Sequence, residues 1–126
     1  MIILGIDPGT SSIGYSIFAT NNPPRLLHAG VLRLERIAPQ DRLLVLHTNI
    51  RKLISEWEPK TLAIEKLFFA KNTKTALAVS ESRGALLLTA ALAGITVFEY
   101  TPLEIKKMVT GDGKADKAAV EKMLRL

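Results

Sequence analysis

The feature that most constrains the fold is the N-terminal run Ile2–Ile6, which is continuously apolar and ends in Asp7. A run without polar alternation is typical of a strand buried on both faces. Pro8 and Gly9 follow at once. Because proline cannot donate to a sheet ladder and glycine accepts unusual backbone angles, the chain must turn there. Asp7 is therefore predicted where a buried first strand leaves the core, although an aspartate before proline is also a common turn former.

A second segment has the same form. The predicted strand Thr61–Glu65 is apolar in its middle and again ends in an acid. If the two strands lie side by side in parallel, Asp7 and Glu65 meet at one edge of the sheet, where open α/β sheets bind ligands. Neighbouring carboxylates raise each other's pKa unless a cation lies between them. Carboxylate oxygens suit Mg²⁺ or Mn²⁺, so both residues are predicted to bind a divalent cation; structural acids at strand ends are the alternative.

Length and cysteine content limit the remaining possibilities. A chain of 126 residues, 48% of them apolar, is predicted to form one domain over residues 1–126. The absence of cysteine excludes disulfides, thiolate metal sites and cysteine nucleophiles, and it fits a cytoplasmic location. No basic segment precedes the N-terminal apolar run, so this run is not a signal peptide. The uncharged stretch Gly84–Phe98 is too short to span a membrane, and we expect a soluble protein without a membrane partner.

The periodicity of apolar residues predicts an α/β fold. The predicted strands are Ile2–Ile6, Ile13–Ala19, Arg25–Leu34, Thr61–Glu65 and Ile95–Glu99. The predicted helices run from about Pro39 to Trp57, from Thr73 to about Ala93, from Thr101 to about Gly111, and from Lys114 to Leu126. The first three strands are joined by turns, which predicts an antiparallel meander.

Two helical positions bear on packing. His47 lies on the apolar face of the first helix, where a packed histidine is more common than a metal ligand. The segment Ala85–Ala93 is apolar on all sides and therefore needs cover on both. The sheet can cover one side, and we expect a partner subunit to cover the other.

The basic residues indicate a polyanionic partner. The net charge is +5, from 17 basic and 12 acidic residues. Predicted phosphate contacts are Lys71, Arg83, Lys106, Lys107, Lys114 and Lys117, with ordinary charged helix faces as the alternative. Phe68 and Phe69 lie between lysines directly after Glu65, which suits stacking on an unpaired base, unless one of them completes the core.

Taken together, these motifs resemble those of the RuvC-type Holliday-junction resolvases, in the RNase H-like superfamily. The resemblance rests on Gly5-Ile6-Asp7-Pro8-Gly9, Gly14-Tyr15, Ala63-Ile64-Glu65, Phe68, Ala70-Lys71-Asn72, Arg83-Gly84, Val97-Phe98-Glu99-Tyr100, Ile105-Lys106 and Gly111-Asp112-Gly113-Lys114-Ala115-Asp116-Lys117, in the family's order and spacing. It implies a five-stranded mixed sheet, an antiparallel meander followed by parallel strands, flanked by helices. It also implies a homodimer that nicks four-way junction DNA symmetrically, uses Mg²⁺ or Mn²⁺, and works with a branch-migration helicase.

The resemblance assigns roles residue by residue. Asp7 and Glu65 are similar to the first two metal-binding carboxylates, and Phe68 to an aromatic that wedges into the junction centre. Lys106 and Lys117 are similar to basic residues that hold phosphates near the cut.

The sequence departs from the family at its end. Family members continue into a final helix that bears two more catalytic acids, whereas this sequence ends at Leu126. We therefore expect residues 1–126 to form a nuclease domain without that helix. Asp112, Asp116 and Glu121 are candidate substitutes, but Asp116 lies inside the family's basic motif, so we do not expect them to replace the missing acids. Four carboxylates can hold two cations, whereas two anchor one at most, so a non-catalytic junction-binding fragment is the alternative. A sugar-kinase or actin-like ATPase could share Asp7–Ser11 but would need a second domain.

Overall fold

The computed structural model describes residues 1–21, 23–66 and 73–101, in which five strands form one mixed sheet. The strands are β1 (Ile2–Asp7), β2 (Ser12–Ala19), β3 (Arg25–Arg33), β4 (Thr61–Glu65) and β5 (Thr96–Tyr100). Their order in the sheet is β3-β2-β1-β4-β5. The first three strands are antiparallel, and β4 and β5 continue the sheet in parallel with β1. The predicted meander followed by parallel strands is therefore confirmed.

Two long helices connect the strands, α1 (Pro39–Trp57) and α2 (Thr73–Ala93). Pro39 begins α1, where its missing N–H costs no hydrogen bond. The helix ends at Glu58, which adopts the left-handed conformation and donates its N–H to the carbonyl of Ile54. Both helices start and end at the predicted residues.

The core lies between one face of the sheet and the two helices. It contains Leu4, Ile6, Ile13, Ile17, Leu34, Leu46, Ile50, Leu53, Leu62, Ile64, Leu86 and Ala90. Side chains alternate along each strand, so Leu4 and Ile6 of β1 enter this core whereas Gly5 and Asp7 lie on the opposite face of the sheet. The same alternation buries Ile64 of β4. The sheet therefore presents its acids on the face opposite the helices.

A polar contact joins the two helices inside this layer. The hydroxyl of Thr89 donates to the carbonyl of Ala85 at 2.7 Å, so its oxygen accepts the hydrogen bond from Nδ1–H of His47, also at 2.7 Å. His47 is thus a partly buried packing residue with a partner on the neighbouring helix, in agreement with its place on the apolar face of α1.

The fifth strand begins one residue later than predicted, at Thr96, because the end of α2 is capped. Gly94 has a φ of 71° and donates its N–H to Ala91, while Ile95 donates to Ala90. This pair of bonds is a Schellman motif, which assigns Ile95 to the helix end. The third strand likewise ends at Arg33, because the N–H of Leu34 bonds to the carbonyl of Ser11 at 2.7 Å.

One face of α2 carries large apolar side chains that the described residues leave exposed. Leu77, Leu88 and Leu92 are 63%, 59% and 71% exposed, and their spacing places them within one narrow arc of the helix. By length and composition alone, Thr75–Ala93 could cross a membrane, but core helices of soluble proteins pass the same test. Leu86, Thr89 and Ala90 of this helix are buried in the protein.

The turn between β1 and β2 predicts a sharp difference between two glycines. A Cβ at Gly9 would overlap the backbone oxygen of Ser12, whereas a Cβ at Gly14 would meet nothing closer than the Cβ of Asp7 at 3.8 Å. Gly9→Ala forces the backbone of the turn to move, and we expect a loss of about 1–3 kcal/mol in the free energy of unfolding. Gly14→Ala is the matched control and should change stability little. Chemical denaturation measures both; equal stabilities for the two variants would contradict the prediction.

Candidate active site

Asp7 and Glu65 come together because β1 and β4 are parallel neighbours. In their register Ile6 is opposite Ile64, so the next residue of each strand, the acid, emerges at the same edge. Asp7 is exposed, and Glu65 is half-buried between β1 and β5. The convergence predicted from the two apolar runs is therefore present in the structure.

The two carboxyl groups are in direct contact. The pKa of Glu65 is raised to about 7, firstly by burial, and then by a hydrogen bond to Asp7 and by the negative charge of Asp7. At neutral pH the protonated fraction of Glu65 donates a hydrogen bond to the carboxylate of Asp7. Two acids held this close store electrostatic repulsion that a positive charge between them would relieve.

The neighbouring backbone leaves open space around Asp7 and braces Glu65. Gly14, with no side chain, is the partner of Asp7 on β2. Tyr100 is the partner of Glu65 on β5, and its carbonyl accepts the N–H of Lys66 at 2.7 Å. The strand that carries Glu65 is thus held on both sides up to its last residue, whereas Asp7 faces solvent.

The donors present fit a hard divalent cation. Two carboxylates supply only oxygen ligands, which Mg²⁺ and Mn²⁺ prefer. A cation there would stabilise the charged form of Glu65 against the burial and the repulsion by Asp7 that raise its pKa. Over residues 1–21, 23–66 and 73–101 no group of three or more histidine, cysteine, aspartate or glutamate side chains is placed to hold a metal. Within that part of the chain the candidate site is a pair of acids.

Arg83 has a partner that the sequence did not indicate. Its Nη2 lies 2.7 Å from Oε1 of Glu99 on β5, and its side chain is 16% exposed. Its buried Nε has no hydrogen-bond partner among the described residues. The pair ties α2 to β5 beside the strand that carries Glu65. Only the topology brings these two residues together, since they lie on different elements; the phosphate contact predicted for Arg83 stays a prediction.

The other predicted site residues lie outside the described residues. These are Phe68, Phe69, Lys71, Lys106, Lys107, Lys114 and Lys117, and the helices predicted after Thr101 lie there too.

A central β1 flanked by an antiparallel meander and by parallel strands, with acids at the ends of β1 and β4, is the arrangement expected of an RNase H-like nuclease domain. Comparison with known proteins agrees. The family model for crossover junction endodeoxyribonuclease RuvC matches residues 3–126. The chain belongs to this family.

Individual relatives support the assignment. The crossover junction endodeoxyribonuclease RuvC of Ruminiclostridium cellulolyticum is 44% identical, over 99% of this chain and 76% of its own length. That of Moorella thermoacetica is 46% identical over the same shares. Among solved structures, Thermus thermophilus RuvC in complex with a Holliday junction substrate superposes with a TM-score of 0.92 at 31% identity, covering 99% of this chain and 78% of that one.

The raised pKa of Glu65 predicts how stability depends on pH in the absence of metal. Between the ordinary value of 4.5 and about 7, the folded chain holds a proton that the unfolded chain has released. Stability contributed by this group is therefore fully present below pH 4.5 and is lost as the pH rises to about 7. Glu65→Gln cannot ionise and should lose less stability across that range.

Thermal denaturation of both proteins in EDTA at several pH values between 4.5 and 8 measures this difference. Glu56→Gln, an exposed position on α1, is the control and should follow the wild type. Asp7→Asn should weaken the pH dependence only in part, because burial is the largest cause of the shift. Parallel curves for wild type and Glu65→Gln would contradict the coupling.

Proposed function

We propose that this chain is a structure-specific DNA endonuclease that resolves Holliday junctions by paired, metal-dependent nicks. The observation that carries the proposal is the contact between Asp7 and Glu65 at the ends of two parallel strands, in a chain that belongs to the RuvC family. The Thermus thermophilus relative, whose fold this chain shares, has a structure in complex with a Holliday junction substrate, which supports four-way junction DNA as the partner.

The proposed cofactor is Mg²⁺, with Mn²⁺ as a second possibility, held by Asp7 and Glu65. Such a cation supplies Lewis-acid catalysis, by activating water and by stabilising the leaving oxygen. Asp7 offers an exposed carboxylate to it, and Glu65 releases its remaining proton when it binds. The half-buried position of Glu65 and its bracing between β1 and β5 keep its carboxyl group in one place.

The proposed DNA contacts follow the resemblance. Phe68, with Phe69, stacks on bases at the junction centre. Phosphates are held by Lys71, Arg83, Lys106, Lys107, Lys114 and Lys117. The net charge of +5 supports a polyanionic partner. A cytoplasmic location and cooperation with a branch-migration helicase complete the proposal by family resemblance.

We also propose a homodimer, since two symmetric nicks require two active sites. The exposed leucines of α2, Leu77, Leu88 and Leu92, support this arrangement, because a helix with an apolar outer face gains free energy when that face is covered.

The alternative function is a junction-binding fragment that does not cut. The observation that favours it is that the described part of the chain has only two acids at the candidate site, and two acids would anchor one cation weakly. Cleavage of a synthetic four-way junction distinguishes the two functions.

The carboxylate assignment predicts the outcome of conservative substitutions. Asp7→Asn and Glu65→Gln each remove a direct cation ligand. Loss of an outer-shell partner of a metal site costs up to about 100-fold, so loss of a direct ligand should lower the single-turnover rate with Mg²⁺ by more than that. Junction binding should persist. Glu56→Gln on the exposed side of α1 serves as control and should cut like the wild type.

Each result has a separate meaning. Wild-type chain that binds the junction but leaves it intact with both Mg²⁺ and Mn²⁺ would favour the binding fragment. Wild-type cutting that survives in Asp7→Asn would remove Asp7 from the site.

The dimer can be tested without disturbing the core, because Leu88 is 59% exposed. Leu88→Glu should shift sedimentation at tens of micromolar from dimer to monomer while circular dichroism stays unchanged. Leu26→Glu, at a 43% exposed leucine on the edge strand β3, is the matched control and should remain dimeric. A monomeric wild type at that concentration would exclude the dimer for this chain.

A further inference from the structure

The last residue of β3 brings a positive charge to the end of the sheet that carries the two acids. Across the antiparallel strands, Asp7 is opposite Gly14, and Ser12 is opposite Arg33. Leu32 packs against the core, so Arg33 lies on the other face of the sheet, which is the face of Asp7 and Glu65. Arg33 therefore shares both the face and the end of the sheet with the acids.

The register also sets the distance between Arg33 and Asp7. Arg33 is two strands from Asp7, at about 4.8 Å per strand, and two residues further along, at about 3.3 Å per residue. Their Cα atoms are thus about 12 Å apart. A DNA strand whose scissile phosphate lies at the acids would carry neighbouring phosphates within reach of an extended arginine side chain.

The backbone around Arg33 is fixed to the turn that follows Asp7. The N–H of Leu34 donates to the carbonyl of Ser11 at 2.7 Å, and the N–H of Ile37 donates to Leu34 at 3.0 Å. Arg42 Nε donates to the carbonyl of Ile37 at 2.9 Å. These bonds join the corner between β3 and α1 to the β1–β2 turn, so the position of Arg33 relative to the acids is defined.

The charge of Arg33 is not neutralised within the described part of the chain. The ion pair found there joins Arg83 to Glu99, and none involves Arg33. Glu35 and Asp41 lie nearby in sequence and are exposed, but neither pairs with Arg33. An exposed arginine beside two acids offsets the repulsion that these acids exert on an approaching phosphate.

We infer that Arg33 is a phosphate contact for the DNA strand that reaches the acids, on the β2–β3 side of the site. The inference rests on the proposed function and deepens it, because the contacts predicted from sequence all lie at Phe68 or later in the chain. Asp7 on β1 lies between β4 on one side and β2 and β3 on the other. A contact from β3 would therefore hold the DNA strand on the side of Asp7 that faces away from β4.

The strand that carries Arg33 also supplies a matched control. Arg25 begins β3 and is exposed, but it lies about 26 Å from Arg33 along the strand and pairs with Ala19, which is buried on the helix-covered face. Arg25→Ala and Arg33→Ala therefore remove the same side chain from opposite ends and faces of the sheet.

The experiment measures affinity for a synthetic four-way junction by fluorescence anisotropy between 50 and 200 mM salt, in EDTA so that no strand is cut. Each phosphate contact contributes about 0.9 to the slope of log affinity against log salt. Arg33→Ala should lower that slope by about one. Between 50 and 200 mM salt, the factor by which affinity falls should therefore be about three- to fourfold smaller for Arg33→Ala than for the wild type. Arg25→Ala should keep the wild-type slope, and Arg33→Lys, which keeps the charge, should keep most of it.

Circular dichroism confirms that each variant folds. Equal slopes for Arg33→Ala and Arg25→Ala, with normal junction binding by the wild type, would overturn the inference and leave the proposed function standing. A wild-type chain that does not bind the junction would overturn both.

Discussion

The parallel pairing of β1 with β4 is the constraint on which the rest of the structure depends. β1 is apolar up to Asp7 and β4 is apolar from Leu62 up to Glu65, so burial holds both in the middle of the sheet. The register that aligns Ile6 with Ile64 then forces Asp7 and Glu65 out of the core side by side. Burial first, and then the contact with Asp7, raises the pKa of Glu65, and the same contact makes the site suited to a cation. Stability and function thus make opposite demands on one carboxyl pair.

The helix α2 links the core to the outside of the molecule. Leu86 and Ala90 pack against the sheet, Thr89 accepts the bond from His47, and Leu88 faces outward. On the same helix the ion pair between Arg83 and Glu99 attaches α2 to β5, the strand next to β4. A partly buried pair of this kind costs desolvation, and the attraction between charges 2.7 Å apart opposes that cost. The helix therefore ties the edge of the sheet nearest Glu65 to the core.

The turns at the carboxyl end of β1 and at the end of β3 form a second supporting unit. Gly9 allows the chain to reverse where a Cβ would meet the oxygen of Ser12, and Ser11 then accepts the N–H of Leu34. Arg33 stands at the junction of these turns with an exposed charge. An active site that acts on DNA requires acids to hold the cation and positive charge to hold the phosphates. Arg33 supplies a positive charge on the same face of the sheet as the acids.

The sequence by itself determined the seven helices and strands of the described residues and the two acids. The local patterns were the continuous apolar runs that end in Asp7 and Glu65 and the helical periodicity between them. Such patterns predict secondary structure because burial selects apolar residues at the spacing of each strand or helix. Strand ends were less predictable. The N–H of Ile95 bonds to the capped end of α2, and the N–H of Leu34 bonds to the carbonyl of Ser11, so neither residue continues its strand. Only the tertiary structure decided that Arg83 meets Glu99 and that Arg33 shares a face with the acids. Such neighbours are set by strand order and register, which bring together residues whose spacing along the chain carries no periodic signal.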